Sequence, residues 1–465
     1  MNIIIKIIRK ILNIEIDKNG VITLKKNIPF IQRIFLHNGK DTIFLIKTKK
    51  SHALNIATVK DSLEYDMFAE IRFLFFTFKL LLPVKIEKLL SPNGKYLLYC
   101  KEPIQKGLVF FESFFGKSYS GQPKYIYEYL LALDLPYQYV WVYQNDENNI
   151  PGNPTIVKRG SLKYFQYAAK AEYLVNNIVF PFHSKRDETT YLQTWHGTPL
   201  KKLGFDISIE GPELKARQKF YKESRNWDYL ITQNSFSTEV LKRAFKFEEN
   251  IIESGYPHND ILIQNTKERA DKIRKNLNIP KDKKVILYAP TWRDNDANGN
   301  WSFNFSLKIN LLRWQEILGS NYIILIRMHH LITNIKGLEK TEGFAYNVSK
   351  YDDIQELNLI SDILITDYSS VFFDFAVTKK PILFFAYDIQ EYAKHMRGFY
   401  LDIHNDLPGP IIETDAELLK SIQNIDTIKK EYRKKYEVFS QRFCYLDNGE
   451  CSKAVAEKVF KEINE

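Results

Sequence analysis

The sequence is poor in cysteine and carries no metal-binding signature. It has 465 residues and three cysteines, and no pair of them has the spacing of zinc ligands. The His-Glu-x-x-His pattern of zinc proteases is also missing. We therefore expect no disulfide framework, no metal centre and no resident cofactor, and we expect a reducing, cytoplasmic setting.

Glycine-rich phosphate loops are missing as well. The residues Gly116, Lys117 and Ser118 resemble the end of a P-loop, but that motif requires glycine at position 111, where this chain has Phe111. No Gly-x-Gly-x-x-Gly motif follows a predicted strand, so a nicotinamide-type dinucleotide site is not expected. Any phosphate group must be held in another way.

No hydrophobic run is long enough to span a bilayer, and no secretory signal is evident. The longest run is FLFFTFKLLL at 73–82, which Lys79 interrupts. It is either a buried helix or an aromatic-rich helix that lies in a membrane interface.

The charge balance favours anionic partners. The formal net charge is +10 and the sequence pI is about 9.0. Nucleic acid, anionic lipid and phosphate-bearing substrates all fit this charge. The aromatic residues are not interleaved with Lys and Arg in one stripe and no nucleic-acid motif is present, so a non-catalytic polyanion-binding protein is the least favoured class.

Short apolar runs alternate with longer helical patterns from about residue 100 onward. This rhythm predicts two α/β domains with parallel sheets, at 96–270 and 271–465. Residues 1–95 contain alternating runs typical of antiparallel strands and are assigned to a small accessory region. The apolar runs are GLVFFES, YVWVYQN, EYLVNN, YLQTWHG and DYLITQN in the first domain, and KVILYAPTW, YIILIRMHH, DILITDYSS and PILFFAYD in the second.

Polar and charged residues cluster at the ends of these predicted strands. In open parallel sheets, ligands bind outside the carboxyl ends of the strands. Histidines, arginines and a Ser-Ser helix start at such positions describe a pocket for a phosphate ester with a general base. The candidate residues are His196, Thr291, Trp292, Arg293, Arg327, His329, Asp367, Ser369, Ser370 and Arg397.

Each of these residues also has a structural interpretation. Ser369 and Ser370 open a predicted helix, where unpaired N–H groups can bind phosphate, but serine is also an ordinary N-cap residue. His196 and His329 could be satisfied by the backbone. Their common location at strand ends favours the functional interpretation.

Segments at these positions resemble the CDP-glycerol glycerophosphotransferase family, the poly(glycerol phosphate) and related polymerases and primases of teichoic acid synthesis. They occur in consistent order over about 107–402. The most specific combination is TWHGTP with APTWR and TDYSS, and RMHHLI is another of the matching segments.

The resemblance implies a GT-B-like fold, with two Rossmann-like domains facing across a cleft. It implies transfer of a polyol phosphate from a CDP-activated donor to a hydroxyl of a lipid-linked polyprenyl acceptor, with release of CMP. It implies that His196 is the general base, that His329 contacts the donor diphosphate, and that Asp367, Ser369 and Ser370 bind phosphate and nucleotide. Location at the cytoplasmic face of the membrane, as a peripheral protein, follows from the lipid-linked acceptor.

Several alternatives stay open. The donor is CDP-glycerol or CDP-ribitol, and a GT-B glycosyltransferase that uses a nucleotide sugar is the competing enzyme class. The family usually has arginine in a Gly-Tyr-Pro-Arg-Asn-Asp segment where this chain has His258. An anion contact at that position would become titratable. His330 follows His329 directly, so either ring could face the ligand.

Overall fold

The computed structural model describes most of the chain from residue 91 onward, namely 91–145, 150–208, 212–264, 266–291, 303–305, 307–328, 332–335, 337–389 and 398–463, and five short strands within the first 60 residues. The chain divides into two compact units, Met1–Leu90 and Ser91–Glu465. The apolar run 73–82 lies outside the described residues. Within the described part, no helix combines the length and apolarity needed to cross a bilayer.

The described strands of the first unit are antiparallel, as predicted. β1 (Ile14–Ile16) pairs with β2 (Ile22–Leu24). β3 (Arg33–Asn38), β4 (Asp41–Ile46) and β5 (Asn55–Val59) form a three-stranded sheet.

The second unit begins with a seven-stranded sheet of entirely parallel pairs, in the order β12-β11-β10-β9-β6-β7-β8. Its strands are β6 (Gln105–Glu112), β7 (Gln138–Val142), β8 (Thr155–Val157), β9 (Ala171–Asn176), β10 (Thr190–Gln193), β11 (Tyr229–Thr232) and β12 (Asn250–Glu253). Its helices are α1 (Pro92–Tyr99), α2 (Gly121–Ala132), α3 (Leu162–Lys170), α4 (Pro212–Ser224), α5 (Ser235–Phe245) and α6 (Asp260–Gln264).

The central strand β6 explains why this sheet is covered on both faces. Leu108 and Phe110 belong to one hydrophobic cluster, whereas Val109 and Phe111 belong to another, because successive side chains of a strand point to opposite faces. All four are buried. A continuous apolar run is typical of a parallel strand between two helical layers.

The second sheet has six strands, also all parallel, in the order β17-β15-β13-β18-β19-β20. Its strands are β13 (Lys284–Tyr288), β15 (Tyr322–Ile326), β17 (Ala345–Asn347), β18 (Ile363–Thr366), β19 (Ile382–Phe385) and β20 (Ile411–Ile412), and a separate pair is formed by β14 (Phe303–Phe305) and β16 (Ile332–Ile335). The helices of this part are α7 (Lys267–Asn276), α8 (Leu311–Leu318), α9 (Ile354–Ile360), α10 (Val371–Ala376), α11 (Asp415–Gln423) and α12 (Ile425–Phe443).

The last helix, α13 (Cys451–Val459), returns to the first sheet. Val455 and Ala456 are wholly buried in the same hydrophobic cluster as Val109 of β6. Residues from the far end of the chain thus complete the core of the first domain. The predicted architecture of two Rossmann-like α/β domains is confirmed.

Candidate active site

His196 lies on a sharp turn directly after β10. The residues on either side have positive φ angles, 53° at Trp195 and 148° at Gly197. Only glycine adopts the second angle without strain, so a side chain at position 197 is disfavoured. The buried ring of Trp195 stacks on the imidazole at 4.3 Å between ring centroids. The backbone and this stack fix the direction of the His196 side chain.

One hydrogen bond assigns the tautomer of His196. Its Nδ1 lies 2.9 Å from the carbonyl oxygen of Asn177 at the end of β9. A carbonyl only accepts, so Nδ1 carries the proton and donates, and Nε2 keeps its lone pair. Because the ring is exposed to the cleft, Nε2 is the nitrogen available to take a proton.

The surroundings keep this histidine neutral. The ring is accessible from the cleft but protein surrounds it, and the resulting desolvation lowers its pKa below the usual value. The bond to the Asn177 carbonyl partly opposes this shift, whereas the charge of His258 lowers the pKa further. A neutral imidazole at pH 7 is the form that a general base requires.

The Ser369-Ser370 helix start faces the His196 turn. A Cβ atom at Gly197 would lie 3.6 Å from the Oγ atom of Ser370, so the two motifs are in van der Waals reach. The hydroxyl of Ser370 makes no capping bond to α10, and that of Ser369 accepts only a long 3.4 Å bond from the Val371 N–H. Strong N-capping therefore does not account for this Ser-Ser pair.

Asp367 and Thr291 hold two strand ends together. The Asp367 carboxylate accepts hydrogen bonds from the backbone N–H of Thr291 at 2.8 Å and from that of Tyr368 at 2.6 Å. Asp367 is buried. Its observed contacts shape the exits of β13 and β18, and the predicted contact with the nucleotide stays a prediction.

Arg327 makes its contacts within the protein. Its guanidinium donates to the carbonyl oxygens of Val348, Tyr351 and Asp352. These bonds hold the segment that leads into α9. The predicted contact of Arg327 with substrate stays a prediction.

The remaining predicted residues lie outside the described residues. They are Trp292, Arg293, His329, His330 and Arg397. Among the residues that the structure does describe, no group of three or more His, Cys, Asp or Glu side chains is placed to hold a metal ion.

Backbone pairing joins the two domains beside His196. The N–H of Lys202 donates to the carbonyl of Gly398 at 2.9 Å, and the N–H of Tyr400 donates to the carbonyl of Leu200 at 2.8 Å. The Tyr400 hydroxyl also donates to Asp206 at 2.6 Å. The TWHGTPLKKLG and GFY segments, distant in sequence, thus form one wall of the site.

The side chain of His258 contacts a carboxylate of the other domain. Its Nε2 lies 3.1 Å from Oδ1 of Asp374 in α10, and both side chains are buried. Burial alone would lower the pKa of His258, but Asp374 raises it above the usual value, with Asp353 and Asp447 acting in the same direction. The anion at this position is therefore internal to the protein.

A buried polar chain, not predicted from the sequence, leads from the same junction to the His196 turn. Asp447 accepts from the amides of Asn259 at 3.0 Å and Gln233 at 2.7 Å. The Gln233 oxygen accepts from the hydroxyl of Thr198, two residues after His196. These buried hydrogen bonds hold the His196 turn in place.

Two Rossmann-like domains with parallel sheets, joined beside His196, have the architecture of the GT-B-like class of proteins. The sequence profile of one family of this class, described as CDP-Glycerol:Poly(glycerophosphate) glycerophosphotransferase, matches residues 95–461. The chain belongs to this family, and the resemblance seen in its motifs is confirmed.

Two relatives illustrate the match. The teichoic acid poly(glycerol phosphate) polymerase of Staphylococcus epidermidis is 45% identical over 374 residues, which cover 78% of this chain and 52% of that protein. The chain thus spans about half the length of that relative. The teichoic acid glycerol-phosphate transferase of Staphylococcus aureus is 43% identical over 368 residues, which cover 77% of this chain and 93% of that protein.

A solved structure shares the fold. The wall teichoic acid polymerase TagF, studied as a variant soaked with CDPG, superposes with a TM-score of 0.76 at 44% identity. The match covers 82% of this chain and 96% of that chain. The GT-B-like prediction is therefore confirmed.

Proposed function

We propose that this chain transfers glycerol phosphate from CDP-glycerol to a hydroxyl of a lipid-linked acceptor of the teichoic acid or capsule type, and releases CMP. The observation that carries the proposal is His196, whose Nδ1 is committed to the Asn177 carbonyl while Nε2 stays unprotonated opposite the Ser369-Ser370 turn. A base and a phosphate-binding edge face each other across one cleft.

The reaction follows from this arrangement. His196 Nε2 takes the proton of the acceptor hydroxyl, and the oxygen attacks the phosphorus that bears glycerol. The bond from that phosphorus to the bridging oxygen breaks, and CMP leaves with that oxygen. Positioning and charge stabilisation supply most of the catalysis in phosphoryl transfer. His329, Arg293 and Arg397 are proposed to hold the diphosphate together with Ser369 and Ser370.

The donor is proposed to be CDP-glycerol because the family description names it and the relatives at 43–45% identity are named for glycerol phosphate. The solved relative soaked with CDPG supports the same donor. CDP-ribitol is the competing substrate, since its diphosphate would meet the same groups.

The acceptor places the protein at a membrane surface. A lipid-linked acceptor stays in the bilayer, and the net charge of +10 favours the anionic cytoplasmic leaflet. We propose peripheral attachment there.

The test is CMP release with a lipid-linked acceptor analogue and, in parallel, CDP-glycerol, CDP-ribitol or a UDP-sugar as donor. We expect release from CDP-glycerol at least about tenfold faster than from CDP-ribitol, which corresponds to ~1.4 kcal/mol of discrimination. Faster CMP release from CDP-ribitol would show that CDP-ribitol, and not CDP-glycerol, is the donor. Nucleotide release only from the UDP-sugar would show that the protein is a glycosyltransferase.

A further inference from the structure

The turn after β6 has an unusual backbone. Phe114, Phe115 and Gly116 have φ angles of 45°, 61° and 74°, so three successive residues are left-handed. For a residue other than glycine this conformation costs about 1–2 kcal/mol. Such strain persists only where the surrounding structure enforces it, and it concentrates at functional sites.

Two contacts enforce the turn. The N–H of Phe114 donates to Oδ1 of Asn177 at 2.9 Å, and the N–H of Gly116 donates to the carbonyl of Ser113 at 2.8 Å. Gly116 also packs on β7, since a Cβ atom there would lie 2.7 Å from Val142. Asn177 is the residue whose carbonyl orients His196, so the turn and the base share one anchor.

The strain does not serve the hydrophobic core. The ring of Phe115 is 39% exposed, and that of Phe114 lies at 6.0 Å from the His196 ring. Phe114 is thus held beside the His196 ring, and Phe115, the next residue of the same turn, stays exposed, so its burial does not offset the cost of the strained backbone.

A fixed cation lies over the exposed ring. The Arg159 guanidinium is 4.9 Å from the Phe115 centroid. Its Nε donates to the buried carboxylate of Glu112 at 2.6 Å and its Nη2 to the carbonyl of Val179 at 3.1 Å. The Tyr164 hydroxyl also interacts with the guanidinium. A guanidinium has five N–H donors, so these partners still leave donors for an anion.

We propose that Phe115 and Arg159 form the acceptor subsite of the reaction described above. The ring packs against the carbon skeleton of the unit that carries the attacking hydroxyl, and the guanidinium binds the phosphodiester next to it. An aromatic face and a rigid cation together match an anionic polyol or sugar phosphate. The assignment rests on the proposed function, because it places the acceptor on the side of the cleft that holds His196.

The test compares Phe115→Asn with Phe115→Tyr. Asparagine tolerates a left-handed backbone, so Phe115→Asn removes the ring without adding strain, whereas Phe115→Tyr keeps the ring. Acceptor and donor KM are measured separately, each at a saturating level of the other substrate. We expect Phe115→Asn to raise the acceptor KM about tenfold, the factor equal to ~1.4 kcal/mol, with the donor KM unchanged. Phe115→Tyr should stay within about twofold.

The control is Leu133→Asn, since Leu133 has the same 39% exposure at the end of α2. It should behave as wild type. If Phe115→Asn does not fold, Phe115→Gly replaces it. The double variant Glu112→Gln, Arg159→Gln tests the cation while leaving no buried unpaired charge, and it should also raise the acceptor KM.

Two results would overturn the subsite. One is an acceptor KM equal to that of wild type in folded Phe115→Asn, and the other is an equal rise of both KM values. Failure of the wild type to release CMP from CDP-glycerol would instead overturn the proposed function, and the acceptor assignment with it.

Discussion

At the scale of single residues, the neighbours of His196 determine what its ring can do. Trp195 fixes the ring plane, and Asn177 fixes which nitrogen carries the proton. The position of His196 at a strand end was predictable from the sequence. The role of Asn177 was not predicted, although the EYLVNN run ends in two asparagines at the neighbouring strand end. Every residue type has a backbone carbonyl, so the sequence does not reveal which carbonyl accepts this bond. Only the fold shows it.

Replacing His196 tests its proposed role as the general base directly. His196→Ala should lower turnover by roughly 10²–10⁴-fold, because that is the usual contribution of a general base. Donor affinity should change little, since the proposed role of the ring is to take a proton from the acceptor hydroxyl. CMP release measures turnover, and calorimetry measures donor affinity. The matched control is His183→Gln, an exposed histidine of the same domain. Near-normal turnover of a folded His196→Ala protein would reject the assignment.

The serine pair at the start of α10 gives a second prediction. Replacing Ser369 and Ser370 together by alanine should weaken CDP-glycerol binding by about 1–3 kcal/mol for each hydrogen bond lost to phosphate. The control is Ser421→Ala, whose exposed hydroxyl donates within its own helix. If calorimetry finds unchanged donor affinity, the serines only begin the helix and do not bind the donor phosphates.

At the scale of elements, the sequence predicted the inner strands and missed the edges. Each apolar run assigned to the two α/β domains corresponds to a strand of one of the two parallel sheets. The strands of these two sheets that were missed, β8, β12, β17 and β20, are their edges. An edge strand is short and half exposed, so it has no continuous apolar run to distinguish it from a loop.

The ion pair between His258 and α10 predicts a pH dependence of stability. The folded pKa of His258 is raised above the usual value of about 6.5, so its stabilising effect is complete below that pH and is lost as pH rises through the folded pKa. The unfolding free energy should therefore fall above about pH 6.5, by at most ~1.4 kcal/mol per pH unit.

The comparison that isolates His258 uses two variants. His258→Arg keeps a permanent charge and His258→Gln carries none, so both should remove this part of the slope. Urea unfolding from about pH 6 to about pH 8.5 measures it. The titratable groups facing His258 are Asp374, Asp353, Asp447 and His196. A slope that persists unchanged in both variants would assign the pH dependence to one of these.

At the scale of the whole molecule, α13 joins parts of the chain that are far apart in sequence. Nothing in the sequence of 451–459 indicates on which sheet this helix packs. Phe460, which follows the helix, packs on Tyr173 of β9 at 4.8 Å and on Tyr137 at 5.8 Å between ring centroids. The domain boundaries at 96–270 and 271–465 remain a prediction.

This packing predicts a large effect of a single truncation. Phe460→Ala removes a ring that is 0% exposed, so it should lower the unfolding free energy by about 3–5 kcal/mol. Val438→Ala, at a side chain that is 63% exposed on α12, should change it by less than about 0.5 kcal/mol. Thermal or urea unfolding measures the stability of the two variants. Equal stability of the two variants would show that the α13 contact contributes little.

The return of α13 also constrains how this protein emerges from the ribosome. The last strand of the first sheet ends at Glu253, and the helix that covers one of its faces starts at Cys451. At about 5–20 residues per second, synthesis of the intervening roughly 200 residues takes about 10–40 s. During that interval the face of β6 formed by Val109 and Phe111 lacks part of its cover. The nascent chain therefore presents a transient apolar surface that a chaperone can bind, and vectorial folding of the first domain cannot finish before translation of the second.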